Sequence, residues 1–111
     1  MKRRAKRPSS FDETMAAELL GKYVIIGLRL MNMRGDLKSQ TQVHGTVVGV
    51  DARFGFRVLA EGLKKGKEYK LPPDTKAFHR MALGVYHLDE TDEEVTNPAF
   101  KADFTIAERD A

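Results

Sequence analysis

"VHGTVVGVDARFGFRVLAE", Val43 to Glu61, is the stretch whose reading decides the fold. After Asp51-Ala52-Arg53 apolar residues recur at every second position, and before it the run is rich in valine, so the stretch has the character of strands and not of a helix. It reads as two strands joined by a turn, with Gly45 and Gly49 inside the first. A glycine within a strand marks a bulge or a sharp bend, which a strand passing around a small barrel needs. The second strand places Phe54, Phe56, Val58 and Ala60 on one face, the face expected in the core.

The flanking segments extend the pattern. In "KYVIIGLRLMN", from Lys22, the even positions Val24, Ile26, Leu28 and Leu30 are apolar and read as core. The odd face is mixed, and the N-terminal helix is expected to cover part of it. "MRGD" supplies a turn at Gly35 before a long strand from about Leu37 to Val50. "GLKKGK" makes a glycine-flanked hairpin loop leading to a short strand with Tyr69 and Leu71. Pro72-Pro73 then ends the ladder, because neither residue can donate a backbone hydrogen bond. Asp74 can cap a short helical turn through Phe78. A further strand is expected at Val85 to Leu88, and Val95, Phe100, Phe104 and Ile106 suffice for one more strand or extended segment.

Upstream, Ser10 and Glu13 have the spacing of a capping box, which opens a helix of about three turns. Phe11, Met15 and Leu19 give it a narrow apolar stripe, and Gly21 sits where a left-handed C-terminal cap belongs. Residues 1–10 lack apolar periodicity and are expected to form a flexible basic arm, leaving 11–111 as a single domain. One helix followed by about five antiparallel strands predicts a mostly-β fold. The expected form is a small antiparallel SH3-like or Sm-like barrel with an N-terminal α-helix, closing around Val24, Ile26, Leu28, Val48, Phe56, Val58 and Leu71.

Composition narrows the chemistry. The chain has 111 residues and no cysteine, which excludes disulfides, thiolate metal sites and a cysteine nucleophile. No apolar run approaches the roughly 20 residues of a membrane-spanning helix. The basic start is followed by the acidic "FDETMAAELLG" and not by a signal-peptide core, so the expected location is cytoplasmic, away from membranes. The net charge of +3 is unevenly spread: residues 22–80 carry twelve Lys/Arg against five acids, and residues 89–111 carry eight acids against two bases. A basic middle attracts polyanions through counterion release. It is equally neutralised if the acidic end, "DETDEE" at 89–94, folds over it.

Catalytic patterns are absent. His44, His79 and His87 lack the spacing of metal ligands, and a buried or solvated histidine accounts for each; His44, mid-strand beside Gly45, is the first to inspect. Ser9, Ser10 and Ser39 fall in the arm, the cap and a strand start. Asp74 and His79 could approach one another as a base pair, but a capping Asp and a solvated His account for both. There is no phosphate-binding glycine loop. The expectation is a non-enzymatic module without cofactor or metal that acts by binding.

The candidate contacts are Lys64, Lys65 and Lys67 on the hairpin loop, with Arg53, Arg57 and Lys70 in the body, where Arg80 is a further base. Beside Tyr69, Phe54 and Phe56, they have the chemistry to hold a phosphate backbone and stack bases, so nucleic acid or a ribosomal surface is the first expected partner. Loop lysines also discourage edge-to-edge aggregation, which explains them without a ligand. The alternative is a protein-interaction or assembly module using the face near Pro72-Pro73 and Phe78, with an oligomer possible.

The run "YVIIGL", "QTQVHG", "LPPDTKAF" and "GVYHL" resembles a small family of uncharacterised bacterial proteins, over residues 22–106. Their pattern is a YVIIGI-type strand, a Q-x-Q-x-H-G stretch and an LPPDL-x-AF segment. The chain departs near its end, where "GVYHLDETDEE" replaces a GEYRLRSTGE-type strand and Phe104 stands for a late tryptophan. The resemblance implies a barrel and no chemistry. "GTVVGVDARFGFRVLAE" also looks like an Sm-type strand–turn–strand, in which an aspartate, an aromatic and an asparagine contact RNA. Asp51 and Phe54 match the first two, but no asparagine follows, and the later arginine-glycine pair is missing.

Overall fold

A computed structural model describes residues 11–107; the arm at 1–10 and Ser10 with it lie outside the described residues. Helix α1 spans Glu13–Leu19, and its cap is Asp12, not Ser10. The Asp12 carboxylate accepts from the N–H groups of Thr14 (2.9 Å) and Met15 (3.2 Å), satisfying two donors that a helix start leaves open. Gly21 follows at φ +86°, and its N–H donates to the Val47 carbonyl at 2.8 Å, tying the helix end to the sheet.

Eight strands follow: β1 (Tyr23–Met31), β2 (Leu37–Asp51), β3 (Gly55–Ala60), β4 (Glu68–Leu71), β5 (Phe78–Arg80), β6 (Val85–Leu88), β7 (Glu93–Thr96) and β8 (Phe100–Ala107). Six form one sheet in the order β4-β3-β2-β1-β8-β5, and β6 and β7 form a separate hairpin. The expected all-antiparallel barrel is corrected in two respects. β8 runs parallel to β1, pairing Val24 with Phe100 and Leu28 with Phe104. β4 and β5 stand at opposite ends of the sheet, so no hydrogen-bonded closure forms among the described residues. The physical reason is the β6–β7 hairpin, which returns the chain to the end where β1 starts. There the Ala99 N–H donates to the Tyr23 carbonyl at 2.8 Å, and β8 can only run alongside.

The even face of β1 is core, as its period requires. Val24 and Ile26 are fully buried with Val43, Val47, Phe56 and Val58, and Leu28 is half-buried against them. α1 packs here, through Ala16 and Leu19, with Phe11 just ahead of its cap, and not on the odd face. Phe78 lies edge-on between Phe56 and Phe104, with centroids 5.1 and 5.8 Å apart. The odd face is covered instead by the hairpin: Ile25 is buried against Leu88 and Val95, flanked by Tyr23 and Tyr86. Among the described residues no helix is long and apolar enough to cross a membrane.

Two expected core residues are outside. β2 carries a bulge between Val47 and Gly49, where it pairs with β3. One extra residue reverses the alternation, so Val47 is buried and Val48 is 38% exposed. Phe54 precedes β3, in the turn, and is 75% exposed. Truncating Val47 to alanine should therefore cost roughly 2 kcal/mol, and Val48→Ala less than about 0.5 kcal/mol. Urea denaturation of the two variants checks this, and equal costs would argue against the bulge register.

Candidate nucleic-acid interface

The six basic residues divide between the two ends of the β3–β4 ribbon. Lys64, Lys65 and Lys67 occupy the loop between the strands. Arg57 and Lys70 stand on the ribbon itself, directly opposite one another in register. Arg53 lies in the β2–β3 turn at the far end.

That turn is held from within. The Asp51 carboxylate accepts from the N–H groups of Arg53 (2.7 Å) and Phe54 (2.8 Å). The bonds from Phe54 and Arg53 hold the Asp51 carboxyl below its usual range, so it is ionised at neutral pH and keeps the turn closed. Phe54 is thus presented to solvent by a fixed backbone, with the Arg53 guanidinium 5.8 Å from its ring centre. Beside it lies an open cleft of about 420 Å3, lined by Gly49, Asp51, Phe54, Arg57 and Lys70 among others. Gly49 has a local task here: a Cβ at this position would collide with the Arg57 guanidinium, which lies across the bare backbone. Arg57 Nη1 also donates to Glu68 at 2.8 Å, an exposed pair. Among the described residues neither Arg53 nor Lys70 has an ion-pair partner.

Other sequence candidates go elsewhere. Arg80 is bidentate on Glu18, at 2.6 and 2.7 Å, and sits over the Phe100 ring, so it anchors α1. Phe56 is core. Asp74 caps its turn through the Lys76 N–H at 3.0 Å, while His79 is exposed, so the two form no base pair. Among the described residues no cluster of His, Asp and Glu is arranged to hold a metal ion. Phe78 is buried, which removes the aromatic from the face near Pro72-Pro73.

The acidic segment does not cover the basic residues. Its turn lies over β2, where the Glu90 N–H donates to Gln42 at 3.0 Å and Gln40 donates to the Glu90 carboxylate at 3.3 Å. A second open cleft, about 350 Å3, lies there, and its lining carries three carboxylates, Asp89, Glu90 and Asp103, against one cation, Arg29, a balance that disfavours an anion.

Glu93, from the same segment, points inward, to the mid-strand histidine beside Gly45. His44 is buried on the odd face between Tyr23 and Glu93: its Nδ1 lies 2.6 Å from the Tyr23 hydroxyl and its Nε2 3.1 Å from Glu93 Oε2. The same Glu93 oxygen accepts from the Leu63 N–H at 2.9 Å. Burial pushes the Glu93 carboxyl up, but the Leu63 N–H, the Thr91 hydroxyl and then His44 together outweigh it and leave the group below its ordinary value. Burial and the charges of Glu61 and Glu93 push Tyr23 up. Ionised Glu93 can only accept, so His44 Nε2–H donates to it, and in the neutral imidazole Nδ1 then accepts from the Tyr23 O–H. Because the folded carboxyl is shifted down, this contribution to stability is complete above the ordinary carboxylate pKa. It is lost as pH falls through the lowered value. Nothing in the sequence pairs Tyr23, His44 and Glu93, since three elements supply them.

Comparisons with protein-family models, with curated proteins and with solved structures find no match.

Proposed function

We propose that the protein is a non-enzymatic module that binds nucleic acid along the β3–β4 ribbon. One observation carries the reading: cationic Arg57 and Lys70 directly face each other across the strands, at a cleft whose rim presents the exposed ring of Phe54. Like charges in register disfavour a sheet, and Glu68 engages only the arginine. A phosphate between them relieves that repulsion, and a base face can rest on Phe54. Arg53 adds a cation beside the ring, and Lys64, Lys65 and Lys67 offer further backbone contacts at the loop end. The same reading places the chain among small bent-sheet modules of the SH3-like or Sm-like kind, beside the bacterial family its motifs resemble, and in the cytoplasm.

The test is fluorescence anisotropy with labelled 20-nucleotide single-stranded RNA, single-stranded DNA and duplex, from low to moderate salt. The logarithm of affinity should fall linearly with the logarithm of salt, with a slope of about −2 to −4 for three to five phosphate contacts. Absence of binding at low salt, or a salt-independent affinity, would sink the proposal.

A further inference from the structure

We infer that Glu93 is a positioning residue for the lysine loop, and that it strengthens polyanion binding even though it is itself an anion; this rests on the nucleic-acid reading above. The loop is pinned at its entry. Gly62 turns at φ +70° with its Cα backed against the Glu93 carboxylate and the His44 ring, leaving no room for a Cβ. The next N–H, on Leu63, donates to Glu93 Oε2 at 2.9 Å, and the Glu61 N–H donates to the His44 carbonyl at 2.8 Å. Behind Glu93, His44 and Tyr23 hold that carboxylate in one place. Beyond Leu63 the Lys65 N–H donates to Gly62 and the Lys67 N–H to Lys64, both at 3.0 Å, and the far end is tied to β3, where the Gly66 N–H donates to the Ala60 carbonyl at 3.0 Å and the Ala60 N–H to the Lys67 carbonyl at 2.9 Å. The loop is therefore held at both ends: β3 fixes the Lys67 end through Ala60, and Glu93 fixes the entry, from which Lys64 and Lys65 take their orientation. A loop ordered in advance does not lose that conformational freedom on binding.

Electrostatics and positioning predict opposite signs. Removing a carboxylate near a basic loop should by charge alone tighten a polyanion. Glu94, the exposed neighbour on β7, is the control for charge. The probe is the labelled 20-nucleotide single-stranded RNA at low salt. Glu94→Ala should tighten it by at most about twofold, whereas Glu93→Ala should weaken it about fivefold. Glu93→Gln keeps an oxygen for the Leu63 N–H and should recover part of the loss. Hydrogen exchange at the Leu63 amide should accelerate in Glu93→Ala and less in Glu93→Gln, a readout that needs no ligand. If Glu93→Ala tightens binding as Glu94→Ala does, or Leu63 exchange is unchanged, the inference is overturned while nucleic-acid binding stands. If the unaltered protein binds no RNA at low salt, both are overturned. Circular dichroism and melting of Glu93→Gln separate a repositioned loop from a lost fold.

Discussion

Alanine at Gly55 is expected to lower stability by about 3 kcal/mol or more, a large share of what a small domain possesses. Two costs combine there. Gly55 turns at φ +91°, a region that costs an L-residue about 1–2 kcal/mol. An added Cβ would also strike the Leu71 carbonyl oxygen and crowd the Pro72 carbonyl carbon. Those atoms are backbone, and Leu71 is the register partner of Phe56, so relief requires shifting β4 against β3. Gly66 provides an internal control: its φ is +89°, but nothing lies within 4 Å of an added Cβ. Gly66→Ala should therefore cost only the conformational part, about 1 kcal/mol. Urea denaturation of both variants decides the matter, and equal losses would show that the Leu71 contact is not the constraint.

Reversing the charges of Arg53, Arg57 and Lys70 to glutamate is expected to reduce affinity for single-stranded RNA by about 100-fold or more at low salt, with the fold intact. All three side chains are exposed, so losing the Arg57–Glu68 pair costs at most about 1 kcal/mol. The acids then in register at 57 and 70 add a repulsion of similar size, which replaces that of the two cations. Lys70→Glu alone discriminates further. It places an acid directly opposite Arg57 in place of a second cation. This single change should raise stability by a few tenths of a kcal/mol while weakening binding about tenfold. Melting curves and anisotropy on the same samples test both signs. Unchanged affinity in the triple variant would place any nucleic-acid contact elsewhere.

Much of the fold was legible because it rests on local rules. The period of two in β1, β2 and β3 located those strands, and Gly21 and Asp74 acted as punctuation where they were read. Misreadings arose where one residue altered the phase or where two signals overlapped. The bulge before Gly49 moved Val48 outside, and the Asp51 turn lifted Phe54 out of the strand whose alternation it seemed to continue. Asp12 stood between Ser10 and Glu13 and took the cap. The parallel partnership of β1 and β8 carries no local sign, because either strand would show the same alternation beside any neighbour. Of the site, the basic residues were visible as composition, but their division between two ends of one ribbon depends on register. The Tyr23–His44–Glu93 network was visible only as a mid-strand histidine. Its members share no segment, and only the hairpin packed across the sheet brings them together.

The pairing of Val24 with Phe100 sets how the chain must fold. Central strand β1 has β2 on one side and β8 on the other, so one flank closes by a short turn and the other awaits nearly the whole chain. Contact order is high on that side, and high contact order slows folding. During synthesis, β1 to β4 emerge early and can zip together. Val24, Ile26 and Leu28 keep an open strand edge until residues 100 to 107 have left the ribosomal tunnel. For that interval the nascent protein exposes its most apolar strand, and a β8 too weak to dock would leave it a template for aggregation.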